Sequence, residues 1–195
     1  QDIPLDDGAT WEALGKGETG GVFQLESSGM RSLLRRIKPR QIQELSAVIA
    51  LYRPGPLASG ETEEYIARRQ GTAPVQYLHP RLEKVLSSTY GVFVYQEQII
   101  QAVHQMAGLT LGEADLLRRT ISQGHPPKIS PLKDRFVQKA QKAGVDKSSA
   151  QKVFSALEAF GGYAFNKSHS ISYALLAYQV AYLKTHFPQE YFAAL

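Results

Sequence analysis

The stretch TLGEADLLRR, residues 110–119, carries the signals of an α-helix that begins at a defined residue. Thr110 and Glu113 form a T-x-x-E capping box, in which each side chain satisfies a backbone N–H group at the helix start. Ala114 and Leu117 then follow at helical spacing and predict a buried face. Similar helix start and stop signals occur in the sequence before and after this stretch. The rest of the chain is therefore also expected to form helices.

The neighbouring helix signals predict a mainly α fold. The preceding helix is expected to cover residues 96–107 and to end at Gly108, and the last long helix is expected to end near His186. Alternation of apolar and polar residues with a period of two is almost absent. We therefore predict a multi-helix domain with at most one or two short strands, residues 90–95 being the best strand candidate.

Three places are predicted to interrupt the helices. Thr10 is expected to cap a short first helix, and the sequence RPGP at residues 53–56 is expected to end a helix. Residues 124–130 are rich in proline and predict an exposed loop, after which Pro131 occupies the first position of a new helix.

The composition of the 195 residues excludes several classes of protein and site. There is no Cys, which excludes disulfides, thiolate zinc sites and Cys nucleophiles and fits a reducing, cytoplasmic location. No apolar run reaches the roughly 20 residues of a membrane span, and the start of the chain lacks the apolar stretch of a secretory leader. Neither H-E-x-x-H nor D-x-D occurs. We predict no catalytic residue and no metal site in this chain.

The positions of the charges are more informative than their sum, because a net charge of +4 is too small to identify a partner. Arg118 and Arg119 are adjacent on a helix whose apolar side uses other positions, so both guanidinium groups are expected to leave the core, one at its edge and one on the opposite side. The planar guanidinium suits phosphate. The alternative is a solvated helix face with no ligand.

Two further sets of residues are candidates for binding an anion. Lys167 lies at the predicted start of the last long helix, where free N–H groups favour an anion; plain serine capping with a surface lysine is the alternative. Arg31, Arg35 and Arg53 belong to a basic section that could neutralise a nucleic-acid backbone or simply solubilise the surface.

Gln96 and Gln98 have the same ambiguity as the basic section. Their amides could contact a nucleic acid, or they could simply form the first turn of the helix over residues 96–107. The residues alone leave both interpretations open.

Five short motifs occur in one order along the chain: FQLESSGM at 23–30, YRPGP at 52–56, YQEQ at 95–98, ADLLRR at 114–119 and FNKSH at 165–169. Together they closely resemble the fingers region of bacterial replicative DNA polymerase III alpha subunits, the C family of DNA polymerases. The resemblance extends from Ile3 to the last residue. It implies one fingers domain over residues 1–195 of a longer chain, with the polymerase palm expected before residue 1.

The resemblance also implies a function in DNA replication. Fingers of this family bind the incoming deoxynucleoside triphosphate and primer-template DNA, while the palm aspartates hold two Mg²⁺ ions. The chain is therefore expected to be part of a DNA-directed DNA polymerase, to bind no cofactor itself and to be inactive alone. The sliding clamp and other replisome subunits are expected partners of the full-length chain, and a membrane is not.

Individual roles follow from the matching positions. By resemblance, Arg118 and Arg119 contact the triphosphate and Lys167 supports the same nucleotide. His169 matches the position that crowds the sugar 2′ carbon and so discriminates against ribonucleotides.

The remaining implied roles concern loops. Asn166 and Ser168 are expected to hold the FNKSH loop in shape. The sequence departs from the family at residues 122–127, SQGHPP, where lysines usually follow the arginine pair. Lys128 is expected to replace such a lysine in part.

The residues alone are also compatible with two other classes of function. One is a non-enzymatic helical module that binds nucleic acid or a protein through its basic faces, and the other is a self-sufficient enzyme. Salt-sensitive DNA binding without a nucleotide effect would indicate the module.

Overall fold

The computed structural model describes residues 3–124 and 126–195, and within these ranges the chain folds into α-helices joined by short turns. No strand forms there beyond a single isolated bridge, so the prediction of a mainly α fold is confirmed. The helices are α1 (Gly8–Lys16), α2 (Ser28–Ile37), α3 (Ile42–Leu51), α4 (Pro54–Ser59), α5 (Glu61–Arg69), α6 (Glu83–Leu86), α7 (Gln96–Ala107), α8 (Leu111–Ser122), α9 (Pro126–Lys142), α10 (Lys147–Gly161), α11 (Lys167–His186) and α12 (Pro188–Ala193).

The helices divide into two compact units. Unit 1 contains residues 3–72 and 167–195, and unit 2 contains residues 73–166. Among the helices that the structure describes, none combines the length and the apolarity required to cross a bilayer.

Unit 1 is built around α3, which is buried on almost every side and packs chiefly against α11. The apolar stripe of α2, with Leu33 and Leu34 at its centre, is also buried in unit 1, where α2 packs against α1 and α3. Ser27 caps α2 by accepting a hydrogen bond from the backbone N–H of Met30. In unit 2, α7, α8, α9 and α10 enclose a second apolar core, in which the rings of Phe136 and Phe154 lie 5.5 Å apart.

The first helix begins earlier than predicted, and a short helix forms where only a helix end was predicted. The carboxylate of Asp7 caps α1 by accepting hydrogen bonds from the backbone N–H and the hydroxyl of Thr10, so Thr10 lies inside the helix. Pro54 begins α4, because a proline at the first helical position loses no hydrogen bond. The RPGP sequence therefore ends one helix, as predicted, and also starts another.

The predicted loop over residues 124–130 is wrong for most of its length, because α9 begins at Pro126. The first residues of a helix have no intrahelical acceptor for their N–H groups, so Pro126 and Pro127 are compatible with a helix start. Pro131 lies inside α9 and not at its first position. His125 and the side chain of Lys128 lie outside the described part of the chain.

Residues 90–95 do not form the predicted strand. Tyr90 and Gly91 both have left-handed backbone conformations, with φ of 54° and 81°, which an extended strand does not contain. The N–H groups of Val94 and Tyr95 donate to the side-chain oxygen of Gln98 instead of to another strand. Only Tyr95 forms a bridge, which pairs it with Phe165.

Candidate functional site

Arg118 and Arg119 share one carboxylate on α8. Arg118 Nε donates to Asp115 Oδ1 at 2.9 Å, and Arg119 Nε donates to Asp115 Oδ2 at 2.9 Å. The Arg118 side chain is 15% exposed, whereas that of Arg119 is 66% exposed. Arg118 therefore lies at the edge of the core and Arg119 faces away from it, as predicted.

Asp115 is the residue that sequence reasoning missed at this site. The hydrogen bonds from Arg118 and then Arg119 hold the pKa of the Asp115 carboxyl below its usual value, so Asp115 is ionised at neutral pH. The i, i+3 and i, i+4 spacings within ADLLRR are the signal that could have found it. One carboxylate thus orients two cations and leaves the group with a net charge of +1.

The position of α8 is set at both of its ends. At the start, the predicted capping box is present, since Thr110 and Glu113 exchange hydrogen bonds and Arg135 pairs with Glu113. At the other end, Ser122 Oγ donates to the carbonyl of Gly161 on α10 at 2.8 Å. The arginine pair is therefore carried by a helix that is anchored on both sides.

The YQEQ and FNKSH motifs meet in unit 2. The backbone N–H of Gln96 donates to the carbonyl of Phe165 at 2.8 Å, and the Gln96 side-chain amide donates to the carbonyl of Ala164 at 3.1 Å. Asn166 Nδ2 donates to Glu97 Oε1 at 3.2 Å. These bonds hold the chain just before α11 against the first turn of α7.

Gln98 has an internal role in unit 2. It is 4% exposed, its oxygen accepts from two backbone N–H groups, and its nitrogen donates to Thr89 Oγ1 at 2.7 Å. A side chain enclosed in this way has almost no surface from which to contact DNA, so the prediction of a DNA contact at Gln98 does not fit the structure. Gln96 is half-buried and bonded as described above.

The first turn of α11 belongs to unit 1 and is exposed from Lys167 to His169. Below it, Ser170 is buried and its hydroxyl lies 2.8 Å from that of Ser46 on α3. The imidazole of His169 lies 4.2 Å from the ring of Tyr173, which in turn lies 5.2 Å from the ring of Phe23. The FQLESSGM motif and the end of the FNKSH motif are thus joined by a row of aromatic rings.

Gly29 and Tyr52 bring the first two motifs together. A Cβ atom on Gly29 would lie 2.0 Å from the hydroxyl oxygen of Tyr52, so no larger residue fits there without displacement of the ring. This contact joins α2 to the residue that ends α3.

The predicted basic contacts of unit 1 have different environments. Arg31 Nε donates to the carbonyl of Gly17 at 2.8 Å, and Arg53 Nε donates to the carbonyl of Ala50 at 2.8 Å. Burial lowers the pKa of Arg53 from its usual value. Arg35 is exposed.

The candidate residues are divided between the two units. Unit 2 holds Gln96, Gln98, Arg118, Arg119 and Asn166, whereas unit 1 holds Arg31, Arg35, Arg53, Lys167, Ser168 and His169. Within the two ranges that the structure describes, no group of three or more His, Asp or Glu side chains is placed to hold a metal ion.

Comparison with known proteins gives the family of the chain. The family described as the bacterial DNA polymerase III alpha subunit finger domain matches residues 1–144. DNA polymerase III subunit alpha of Halalkalibacterium halodurans is 50% identical over 99% of this chain, that of Aquifex aeolicus 46% over 98%, and that of Escherichia coli 43% over 99%. The chain spans only 16–17% of the length of these curated relatives. The match of the family and the identity along nearly the whole chain agree with the five motifs: the chain belongs to the bacterial DNA polymerase III alpha subunit finger domain family.

Proposed function

We propose that this chain binds the triphosphate of an incoming deoxynucleotide and the primer-template within a bacterial replicative DNA polymerase. The observation that carries the proposal is the pair of guanidinium groups that Asp115 orients on an anchored helix. Contacts to a sliding clamp and other replisome subunits are assigned to the rest of the full-length polymerase.

The arginine pair has the chemistry for a triphosphate. Each guanidinium carries five N–H donors, and Asp115 engages only Nε of Arg118 and Nε and Nη2 of Arg119, so donors remain for phosphate oxygens. The net charge of +1 attracts an anion, and donors held in place beforehand need little reorganisation when charge develops on the leaving pyrophosphate. Arg119, the more exposed of the two, would make first contact.

Lys167 and His169 support the same nucleotide in this proposal. Both are exposed at the start of α11, where Lys167 adds a full positive charge. The ring contact with Tyr173 restricts the orientation of His169, which a residue that crowds the sugar 2′ carbon requires.

Mg²⁺ is assigned to the palm and not to this chain. The ion prefers carboxylate oxygens in octahedral geometry, and the described residues do not fit such a site. We expect the 195-residue chain alone to have no polymerase activity.

Single-turnover incorporation by the full-length polymerase tests the triphosphate contact. Arg118→Ala and Arg119→Ala are each expected to slow incorporation by about 10²-fold, the usual loss for one electrostatic donor. Arg81→Ala is the matched control, because Arg81 is also an exposed arginine of unit 2 and its guanidinium donates to the carbonyl of Ala143 and not to α8. Unchanged incorporation by both site variants would overturn the proposal. If primer-template binding then remained salt-sensitive and independent of nucleotide, a non-enzymatic binding module would be favoured.

Competition between ribonucleotides and deoxynucleotides tests the role of His169. His169→Ala is expected to raise the relative use of ribonucleotides, because the side chain that crowds the 2′ position is removed. Tyr173→Leu should have a smaller effect in the same direction, since it removes only the ring that orients His169. An unaltered ratio in His169→Ala would remove the sugar-discrimination role.

A further inference from the structure

Unit 1 contains a cavity of about 470 Å³ between α1 and the turn that follows α2. We call this cavity the α1 groove. One wall is a face of α1 and the other is the turn at residues 38–40, KPR. A cavity of this size is in the range of specific binding sites for small ligands or a few side chains.

The α1 wall is apolar and open. Gly8, Trp11 and Gly15 lie on one face at i, i+3 and i+7. Trp11 Nε1 donates to the carbonyl of Leu5 at 3.0 Å, so the only polar atom of the indole is satisfied. A Cβ atom at Gly8 would meet no atom within 4 Å. Gly8 therefore leaves room beside the tryptophan for an apolar side chain, whereas a Cβ atom at Gly15 would already contact Lys38 Cβ at 3.5 Å.

A nearly buried ion pair fixes the opposite wall. Arg69 and Glu44 pair at 2.9 Å with side chains only 15% and 9% exposed. Arg69 Nη2 also donates to the carbonyl of Lys38 at 3.0 Å, and Glu44 Oε2 accepts from the backbone N–H of Arg40 at 2.8 Å. The backbone of the turn is thus held from both ends, while Lys38 and Arg40 remain exposed at the rim.

The charges of the α1 groove favour an acidic ligand. The remaining rim pair is Glu12 and Lys16, which neutralise each other at 2.7 Å. Lys38 and Arg40 therefore give the groove a surplus of two positive charges. An apolar floor with a cationic rim matches a ligand that is itself partly apolar and partly acidic.

We propose that the α1 groove binds a short acidic peptide segment of a partner protein. An apolar side chain of the peptide enters beside Trp11, and flanking carboxylates pair with Lys38 and Arg40. A nucleic-acid strand suits the groove less well, because its phosphates would leave the apolar floor uncovered and would approach Glu12. The inference is independent of the nucleotide-binding proposal, since it uses none of the same residues.

Fluorescence anisotropy with the full-length polymerase tests the proposal. The probe is a labelled octapeptide with two central leucines flanked on each side by three acidic residues. Lys38→Glu combined with Arg40→Glu should weaken binding at least about tenfold, and raised salt should weaken it further. Gly8→Leu should also weaken binding, because Gly8 lines the groove and a Cβ atom there would meet no atom within 4 Å, so the fold can accept a side chain that competes with the peptide.

The control carries the same change of charge elsewhere. Lys139→Glu with Lys142→Glu reverses two exposed lysines of α9 and should leave peptide affinity unchanged. Thermal melting of each variant checks that unit 1 remains folded.

Three results would overturn the proposal. One is equal peptide affinity in the Lys38→Glu, Arg40→Glu double variant and the unmodified protein. Another is equal binding of a peptide whose leucines are replaced by serines. The third is displacement of the peptide by single-stranded DNA of the same charge at the same concentration, which would indicate a site for polyanions in general.

Discussion

Gly161→Ala tests how the arginine-bearing helix is positioned. Gly161 is the last residue of α10, and a Cβ atom there would lie 2.2 Å from Ile121 Cγ2 of α8 and 3.3 Å from Ile121 Cβ. Ile121 is 2% exposed and its Cγ2 is attached directly to Cβ, so the methyl group cannot swing away. The substitution must therefore move one helix relative to the other.

The expected cost follows from two opposing terms. Overpacking a filled core costs about 1–3 kcal/mol. Replacing glycine by alanine at a compatible backbone position contributes about 0.4–1 kcal/mol of stability by restricting the unfolded chain. We expect Gly161→Ala to lower the free energy of unfolding by about 1–2 kcal/mol. Gly162→Ala is the matched control and should be neutral or slightly stabilising, because its Cβ would meet no atom within 4 Å and its φ is −70°.

The second variant, Ile121→Leu, identifies the cause. Leucine keeps the volume of isoleucine but has no methyl branch on Cβ, so Gly161→Ala should cost little in this background. Urea unfolding followed by circular dichroism gives the four free energies of a double-mutant cycle, and we expect a coupling of about 1–2 kcal/mol. Hydrogen exchange should localise the loss of protection in Gly161→Ala to α8 and α10. The reasoning is refuted if Gly161→Ala is stabilising, or if its cost is the same with Leu as with Ile at residue 121.

Two further predictions concern the caps and turns of the fold. Asp7 has a pKa of about 2 instead of 3.8, chiefly because Thr10 and then His186 donate to its carboxylate. Because this pKa lies below the value in the unfolded chain, the stabilisation is present above about pH 4 and is lost as pH falls through 2. Asp7→Asn should therefore lower the free energy of unfolding by about 1 kcal/mol near neutral pH, after allowance for solvent screening. A difference in free energy of unfolding between the variant and the unmodified protein that stays constant down to pH 2 would contradict this. Gln98→Leu should lower the free energy of unfolding, measured in urea, by about 3 kcal/mol, because two backbone N–H groups lose their acceptor. Gln101→Leu, on the exposed face of α7, is the control and should lower it by less than about 0.5 kcal/mol. Equal losses in the two variants would show that the Gln98 amide is not needed for stability.

The start of α8 and its buried stripe could be predicted from the sequence. The capping box of Thr110 and Glu113 is local, so its signal lies within four residues. The helix over residues 96–107 has the predicted bounds for a similar reason, with Gly108 in the left-handed conformation at its end.

Features that depend on distant or competing partners could not be predicted in this way. Residues 90–95 have the composition of a strand, but one amide, that of Gln98, takes the N–H groups that a strand would share. The contact between Gly29 and Tyr52 joins positions more than twenty residues apart, and neither residue indicates the other. At the candidate site, the arginines were visible as charges, whereas the shared use of Asp115 became apparent only from the geometry.

The division of unit 1 into two segments has a consequence for synthesis on the ribosome. Unit 2 is continuous and can fold as soon as residue 166 has emerged, but α3 must wait for α11, its main packing partner. At bacterial translation rates, the more than one hundred residues between them take on the order of ten seconds to make. During that interval the apolar surface of α3 lacks its main native cover, so the nascent chain is open there to aggregation and to chaperone binding.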